Sequence, residues 1–134
     1  MLAIKRGKSR GLPIGAEVEV VDNSGAKILK IISVKGFKSV KRQLECAGVG
    51  DMVTGNVLKG KPDMKHQVVK AIIVRQKQEY KRLDGTIIKF ESNGCVVLKD
   101  EKSKAPKGTL IKGPIGKEVA DRFPQVARIG SVIV

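Results

Sequence analysis

The chain has 134 residues, 27 of them Lys or Arg and 13 Asp or Glu, which leaves a formal net charge of +14 at pH 7. That length suits one domain with a radius of gyration of about 14 Å, and an apolar content of 41% is enough to fill a single core. With no run of 18 apolar residues and no signal peptide, the sequence reads as a soluble intracellular protein with no membrane partner.

Residues 1–16 carry Lys5, Arg6, Lys8 and Arg10 and no acid, which makes them a basic arm. From Glu17 to Asp22 the chain alternates, with Val18 and Val20 on one face and Glu17 and Glu19 on the other, the pattern of a half-buried strand. Asn23-Ser24-Gly25 supplies a turn, and Ile28–Val34 resumes as a β-branched strand. A basic loop with Lys35, Lys38, Lys41 and Arg42 runs to Ala47. Gly48-Val49-Gly50-Asp51 then turns into a strand over Met52–Leu58, which Gly60-Lys61-Pro62 breaks. Within the strand Val68–Arg75, the run Ala71-Ile72-Ile73-Val74 requires cover on both faces.

Leu83-Asp84-Gly85-Thr86 reads as a hairpin turn into a strand over Thr86–Glu91. Period two puts Arg75 and Lys77 on one face, and Lys81 and Arg82 fall at the tip, so all four are candidate RNA contacts. Ser92-Asn93-Gly94 turns into Cys95–Lys99, and a polar loop fills 100–108. Gly113-Pro114 reads as a helix start, with Ile115, Val119, Ala120 and Phe123 inward. Lys112, Lys117, Asp121, Arg122 and Gln125 then face outward as a mixed-charge surface suited to protein partners. A second short helix from Pro124 to Gly130 precedes the apolar end Val132-Ile133-Val134. Short strands followed by short helices indicate a mainly β protein built as a small closed barrel. It is read as one domain, with the arm at 1–16, the barrel at 17–99 and the C-terminal loop and helices at 100–134.

The basic segments at 1–16, 35–42 and 102–117, the last with Lys102, Lys104, Lys107, Lys112 and Lys117, lack acids, the pattern of phosphate contacts rather than of a merely soluble surface. Aromatic residues make up 3% of the chain. Phe90 and Phe123 read as core, which leaves Phe37 and Tyr80 for exposed work, too few rings for a base-stacking platform. Recognition of folded nucleic acid through its backbone fits better. Gly55–Lys61 has phosphate-loop spacing, but Pro62 stands where Ser or Thr must hold magnesium, and it breaks the helix that has to follow. His66 reads as a surface histidine, and Cys46 and Cys95 as small buried hydrophobes. No cysteine pair, histidine cluster or carboxylate pair forms a metal, cofactor or catalytic site.

Ala71-Ile72-Ile73-Val74, Asp84-Gly85, Phe90, Asn93 and Val96-Val97 together resemble the signature of the universal large-subunit ribosomal protein family numbered fourteen. Val21-Asp22-Asn23-Ser24-Gly25-Ala26-Lys27, Ala47-Gly48-Val49-Gly50-Asp51, Gly108-Thr109 and Gly113-Pro114 resemble further family blocks in the same order. The basic extension before residue 17 and the long loop at 36–46 are more similar to the archaeal and eukaryotic branch. Leu83 departs from the usual proline before Asp-Gly, and Gly94 from the usual alanine. The resemblance implies a five-stranded barrel with a projecting hairpin and short C-terminal helices. It implies a non-enzymatic constituent of the large subunit in the cytoplasmic ribosome. The implied partners are large-subunit rRNA, neighbouring ribosomal proteins, small-subunit rRNA at an intersubunit bridge, and an anti-association initiation factor near the C-terminal region. The other readings are a free-standing basic nucleic-acid-binding or RNA-chaperone domain, and an enzyme, which the absence of catalytic constellations disfavours.

Overall fold

The computed structural model describes residues 10–37 and 41–134; Lys5, Arg6, Lys8 and Lys38 lie outside these described residues. In chain order the strands are β1 (Leu12–Pro13), β2 (Glu17–Val20), β3 (Ala26–Val34), β4 (Cys46–Ala47), β5 (Met52–Gly60), β6 (Val68–Arg75), β7 (Tyr80–Lys81), β8 (Ile87–Ile88), β9 (Gly94–Val97), β10 (Ile111–Ile115) and β11 (Gly130–Ile133). Helices α1 (Lys117–Arg122) and α2 (Pro124–Ile129) lie between the last two strands.

Strands β2, β3, β5, β6 and β9 close into a barrel. Neighbours run antiparallel except at the seam, where β2 pairs parallel to β9 through Glu19↔Gly94 and Val20↔Cys95. Closing so few strands requires sharp curvature, and three register shifts between β3 and β5 supply it. Inside, Leu29 fills the space that Gly55 leaves: a Cβ at Gly55 would stand 2.6 Å from Leu29 Cγ.

The apolar run of β6 has both faces covered, as its composition requires. Ala71 and Ile73, with Cys95 and Val97 of β9, point into the barrel and pack with Val18, Leu29, Ile31, Val53 and Val57. Ile72 and Val74, with Val96 and Leu98, belong to a second core outside the barrel. There they meet Ile111 and Ile115 of β10, Val119, Phe123 and Val126 of the helical segment, and Tyr80 and Phe90 of the hairpin. Two strands thus divide two cores.

The C-terminal cover differs from the sequence expectation. Gly113-Pro114 does not start a helix but lies inside β10, which pairs parallel with β11 through Pro114↔Val132 and Ile115↔Ile133. Gly113 takes φ +80 there, a turn of the backbone that interrupts the pairing register. Helix α1 begins after Gly116, so Ile115 is a buried strand residue and Ala120 only half-buried. The expected strand over Thr86–Glu91 shrinks to Ile87–Ile88, because Phe90 turns inward and its amide donates to the Gln76 carbonyl (3.2 Å). Tyr80 is buried rather than exposed, and Cys46 is half-buried while Cys95 is fully buried.

Ile72 is fully buried in the second core, so Ile72→Ala should lower unfolding free energy by about 2–5 kcal/mol in denaturant titration. A loss below 1 kcal/mol would contradict the second core.

Candidate nucleic-acid interface

Three arginines read from the sequence as surface cations are committed inside the fold. Arg75 is buried. Its Nη1 donates to the carbonyls of Lys112 (2.9 Å) and Pro114 (3.1 Å), and its Nε to Ser92 Oγ (3.1 Å), which fastens β10 to the barrel wall. Burial pushes this guanidinium down from its ordinary pKa range, with the charge of Glu19 opposing. The period-two extension to Lys77 fails because the β6–β9 register shifts between Ile73 and Arg75 and the strand ends there. Lys77 itself is exposed.

At the hairpin tip, Lys81 is exposed but Arg82 is not a bare cation. Its Nε donates to Glu118 Oε1 (2.6 Å), and its Nη2 donates to the Val134 carbonyl. Tyr80 donates its hydroxyl proton to Glu118 Oε2 (2.8 Å). One carboxylate of α1 thus holds two hairpin side chains. Burial pushes the Glu118 carboxyl upward, but the bonds from Arg82 and Tyr80 outweigh it and hold the group below the usual range. Arg122, expected outward, is half-buried. Its Nη1 donates to the Gly50 carbonyl (2.9 Å) and stands 3.6 Å from Asp51 Oδ1.

The remaining sequence candidates sit on the surface. Arg10 is exposed, with its guanidinium 5.8 Å from the centre of the Phe37 ring. Lys41 and Arg42 are exposed in their loop, Arg42 at φ +68. Lys35 is exposed but pairs with Glu101 at 2.7 Å. Lys112, Lys117, Asp121 and Gln125 all face solvent.

Sequence reading missed a basic cluster at one end of the barrel. The start of β3 and the end of β5 are antiparallel neighbours, with Ala26↔Gly60 and Ile28↔Lys59, so the turns beside them meet. The Lys61 amide donates to the Gly25 carbonyl (2.9 Å), and the Lys65 amide to the Lys61 carbonyl (2.9 Å). Exposed Lys27, Lys59, Lys61 and Lys65 gather there. Lys107 joins them, its Nζ 2.9 Å from Met64 Sδ. From sequence, Gly60-Lys61-Pro62 reads as a strand break and the end of a rejected phosphate-loop spacing. Pairing the two turns across an antiparallel β3–β5 ladder was the signal available. Lys30 also stands exposed on β3, opposite Glu17.

Exposed apolar side chains gather elsewhere. Leu83 (78% exposed) and Ile87 (61%) lie on the hairpin, and Val132 (51%) and Ile133 (49%) on β11. The Arg82 bond to the Val134 carbonyl joins these two elements.

The site is thus a small closed barrel with exposed lysines, three arginines committed inside the fold, and exposed apolar side chains on the hairpin and β11. The model of the ribosomal protein L14p/L23e family matches residues 11–134. The large ribosomal subunit protein uL14 of Nanoarchaeum equitans (strain Kin4-M) is 54% identical over 125 residues, which cover 93% of this chain and 93% of that relative. The chain belongs to the ribosomal protein L14p/L23e family and is a structural protein of the large subunit in the cytoplasmic ribosome, not an enzyme. The similarity to an archaeal relative agrees with the branch expected from the basic extension and long loop.

Arg82→Ala should cost about 2 kcal/mol at neutral pH, the scale of a lost charged hydrogen bond, while Lys81→Ala stays within about 0.5 kcal/mol. Glu118 has its folded pKa below the ordinary 4.5. Its contribution is therefore complete above that value and lost as the pH falls through the lower folded pKa. Denaturant titrations at pH 7 and pH 3 should show the Arg82→Ala penalty shrinking in acid. An equal penalty at both would contradict the Glu118 clamp.

Proposed function

We propose that this large-subunit protein binds rRNA through its exposed lysines, with Arg10 and the loop at 41–42 as further contacts, and that its C-terminal edge meets proteins and the small subunit. The observation that carries this reading is the separation of the two surfaces. Lys27, Lys59, Lys61 and Lys65 cluster at a barrel end with Asp63 as the one acid between 59 and 65. Leu83, Ile87, Val132 and Ile133 form a separate apolar group on the hairpin and β11, beside α1 and its mixed charges, while Ile32, Leu44, Val68 and Leu110 are exposed elsewhere. An ammonium group attracts phosphate without demanding a fixed approach, and rigid strands fix where each charge sits.

On the same reading, Lys77 and Lys81 are rRNA contacts, as are Lys5, Arg6, Lys8 and Lys38 of the segments outside the described residues. Arg75 and Arg82 act indirectly, by fixing the hairpin and β10. Lys112, Lys117, Asp121 and Gln125 take part in the intersubunit bridge, in contacts with neighbouring ribosomal proteins and in docking of the anti-association factor. Arg122 anchors α1, which carries Lys117 and Asp121.

With about five phosphates neutralised, log affinity of the free protein for large-subunit rRNA should fall with log salt at a slope of roughly −3.5 to −4.5. A flat dependence would contradict the electrostatic mechanism. The double variant Leu83→Asp with Lys117→Glu should assemble into large subunits yet impair subunit joining or factor binding. Sedimentation of variant large subunits mixed with small subunits, together with a factor pull-down, checks this; wild-type behaviour in both would remove the protein-facing role.

A further inference from the structure

A cleft of about 200 Å³ opens where the end of β3, the loop at 100–107 and the last turn of α1 meet. Lys35, Lys104 and Arg122 line it together with Gly36, Met52 and Phe123. Lys104 Nζ and Arg122 Cζ lie 5.7 and 5.4 Å from the centre of the same Phe123 ring. Both cations line the one cleft, so an anion entering it meets two positive charges.

The nearby carboxylates are already engaged. Glu101 pairs with Lys35 at 2.7 Å and with Lys70 at 3.7 Å. Asp51 accepts the Gly48 amide (2.8 Å) and faces Arg122. Among the described residues no carboxylate lies within ion-pair distance of Lys104. Arg122 is fixed by the Gly50 carbonyl, so its charge is preorganised at the cleft. Lys104 holds φ +55, a left-handed backbone that a lysine adopts at some cost, stabilised by its amide bond to the Asp100 carbonyl (3.1 Å).

We propose that this cleft seats one phosphate of an RNA backbone, held between Lys104 and Arg122 with Lys35 at the rim. The inference rests on the rRNA-binding reading above and names one contact within it. The ring of Phe123 is 4% exposed, so a base cannot stack on it and the ligand is the phosphate rather than the nucleobase. The one cation without a carboxylate matches the single charge of a phosphodiester. Lys102 and Lys107, exposed on the same loop as Lys104, give an RNA strand further contacts that a free phosphate ion lacks.

The test uses the full chain and large-subunit rRNA, with affinity measured across a salt series. Lys104→Gly removes the ammonium group and suits the left-handed backbone, so the melting temperature should not fall. Its salt slope should be shallower than wild type by about 0.7–0.9, the loss of one phosphate contact. Lys104→Gln removes the charge while keeping the side-chain length, and should shift the slope equally; it decides the matter if the glycine variant is destabilised. An unchanged slope in a protein whose wild-type slope is steep overturns the cleft and leaves the general RNA-binding reading standing. A flat wild-type slope overturns both. Inorganic phosphate is titrated in parallel, followed through the Lys104 amide resonance. Saturable phosphate binding combined with an unchanged RNA slope would assign the cleft to a free anion and overturn the RNA assignment.

Discussion

The rest of the structure depends on the two-sided burial of β6 and β9. A five-stranded barrel needs apolar residues only on its inner face, yet Ile72, Val74, Val96 and Leu98 continue the apolar surface outward. Left in water, four such side chains would forgo about 1.5–3 kcal/mol each for the larger ones. The C-terminal third exists in its observed place because it covers them. Ile111 and Ile115 arrive on β10, and Val119, Phe123 and Val126 on the helical segment. The hairpin adds Tyr80 and Phe90. Covering one wall leaves the opposite one open, so Lys27, Lys30, Ile32 and Lys59 of β3 and β5 face solvent. The asymmetry of the surface follows from the asymmetry of the core.

Charge is divided by side-chain chemistry in the same way. A guanidinium offers several donors in a rigid plane and tolerates partial burial better than an ammonium. Arg75, Arg82 and Arg122 each span two segments far apart in sequence: β6 to β10, hairpin to α1 and the chain end, and α1 to the Gly48–Asp51 turn. Lysines fill most of the exposed cationic positions, with Arg10 and Arg42 among them. An open groove of about 810 Å³ along β2 mixes Glu17 and Glu19 with Lys27, Lys61 and Lys112, so phosphate is favoured at its lysine end and repelled from the strand that carries the acids.

Local patterns made much of the barrel legible. The alternation of Glu17–Val20, the β-branched run of β3, and the apolar run of β6 each express a burial pattern that the strand realises directly. The proline at 124 marked α2 for a similarly local reason. What could not be read is non-local. Gly113-Pro114 has the local chemistry of a helix start, but Ile115 gains more by pairing with Ile133 and entering the second core. Arg75 has its partners at 92, 112 and 114, and Arg82 at 118 and 134, distances along the chain that no periodicity reports. The lysine cluster at 59–65 was hidden because its meaning lies in two turns meeting across a strand pair.

The central claim is that lysines at the open end of the barrel make the main RNA contacts while the edge formed by the hairpin tip and β11 turns to proteins. Lysine footprinting with an amine-reactive reagent, on the protein free and bound to large-subunit rRNA, tests it most directly. The account predicts that Lys27, Lys59, Lys61 and Lys65 lose reactivity on binding while Lys117 keeps it. Protection of Lys117 with the barrel-end lysines still reactive would contradict the account.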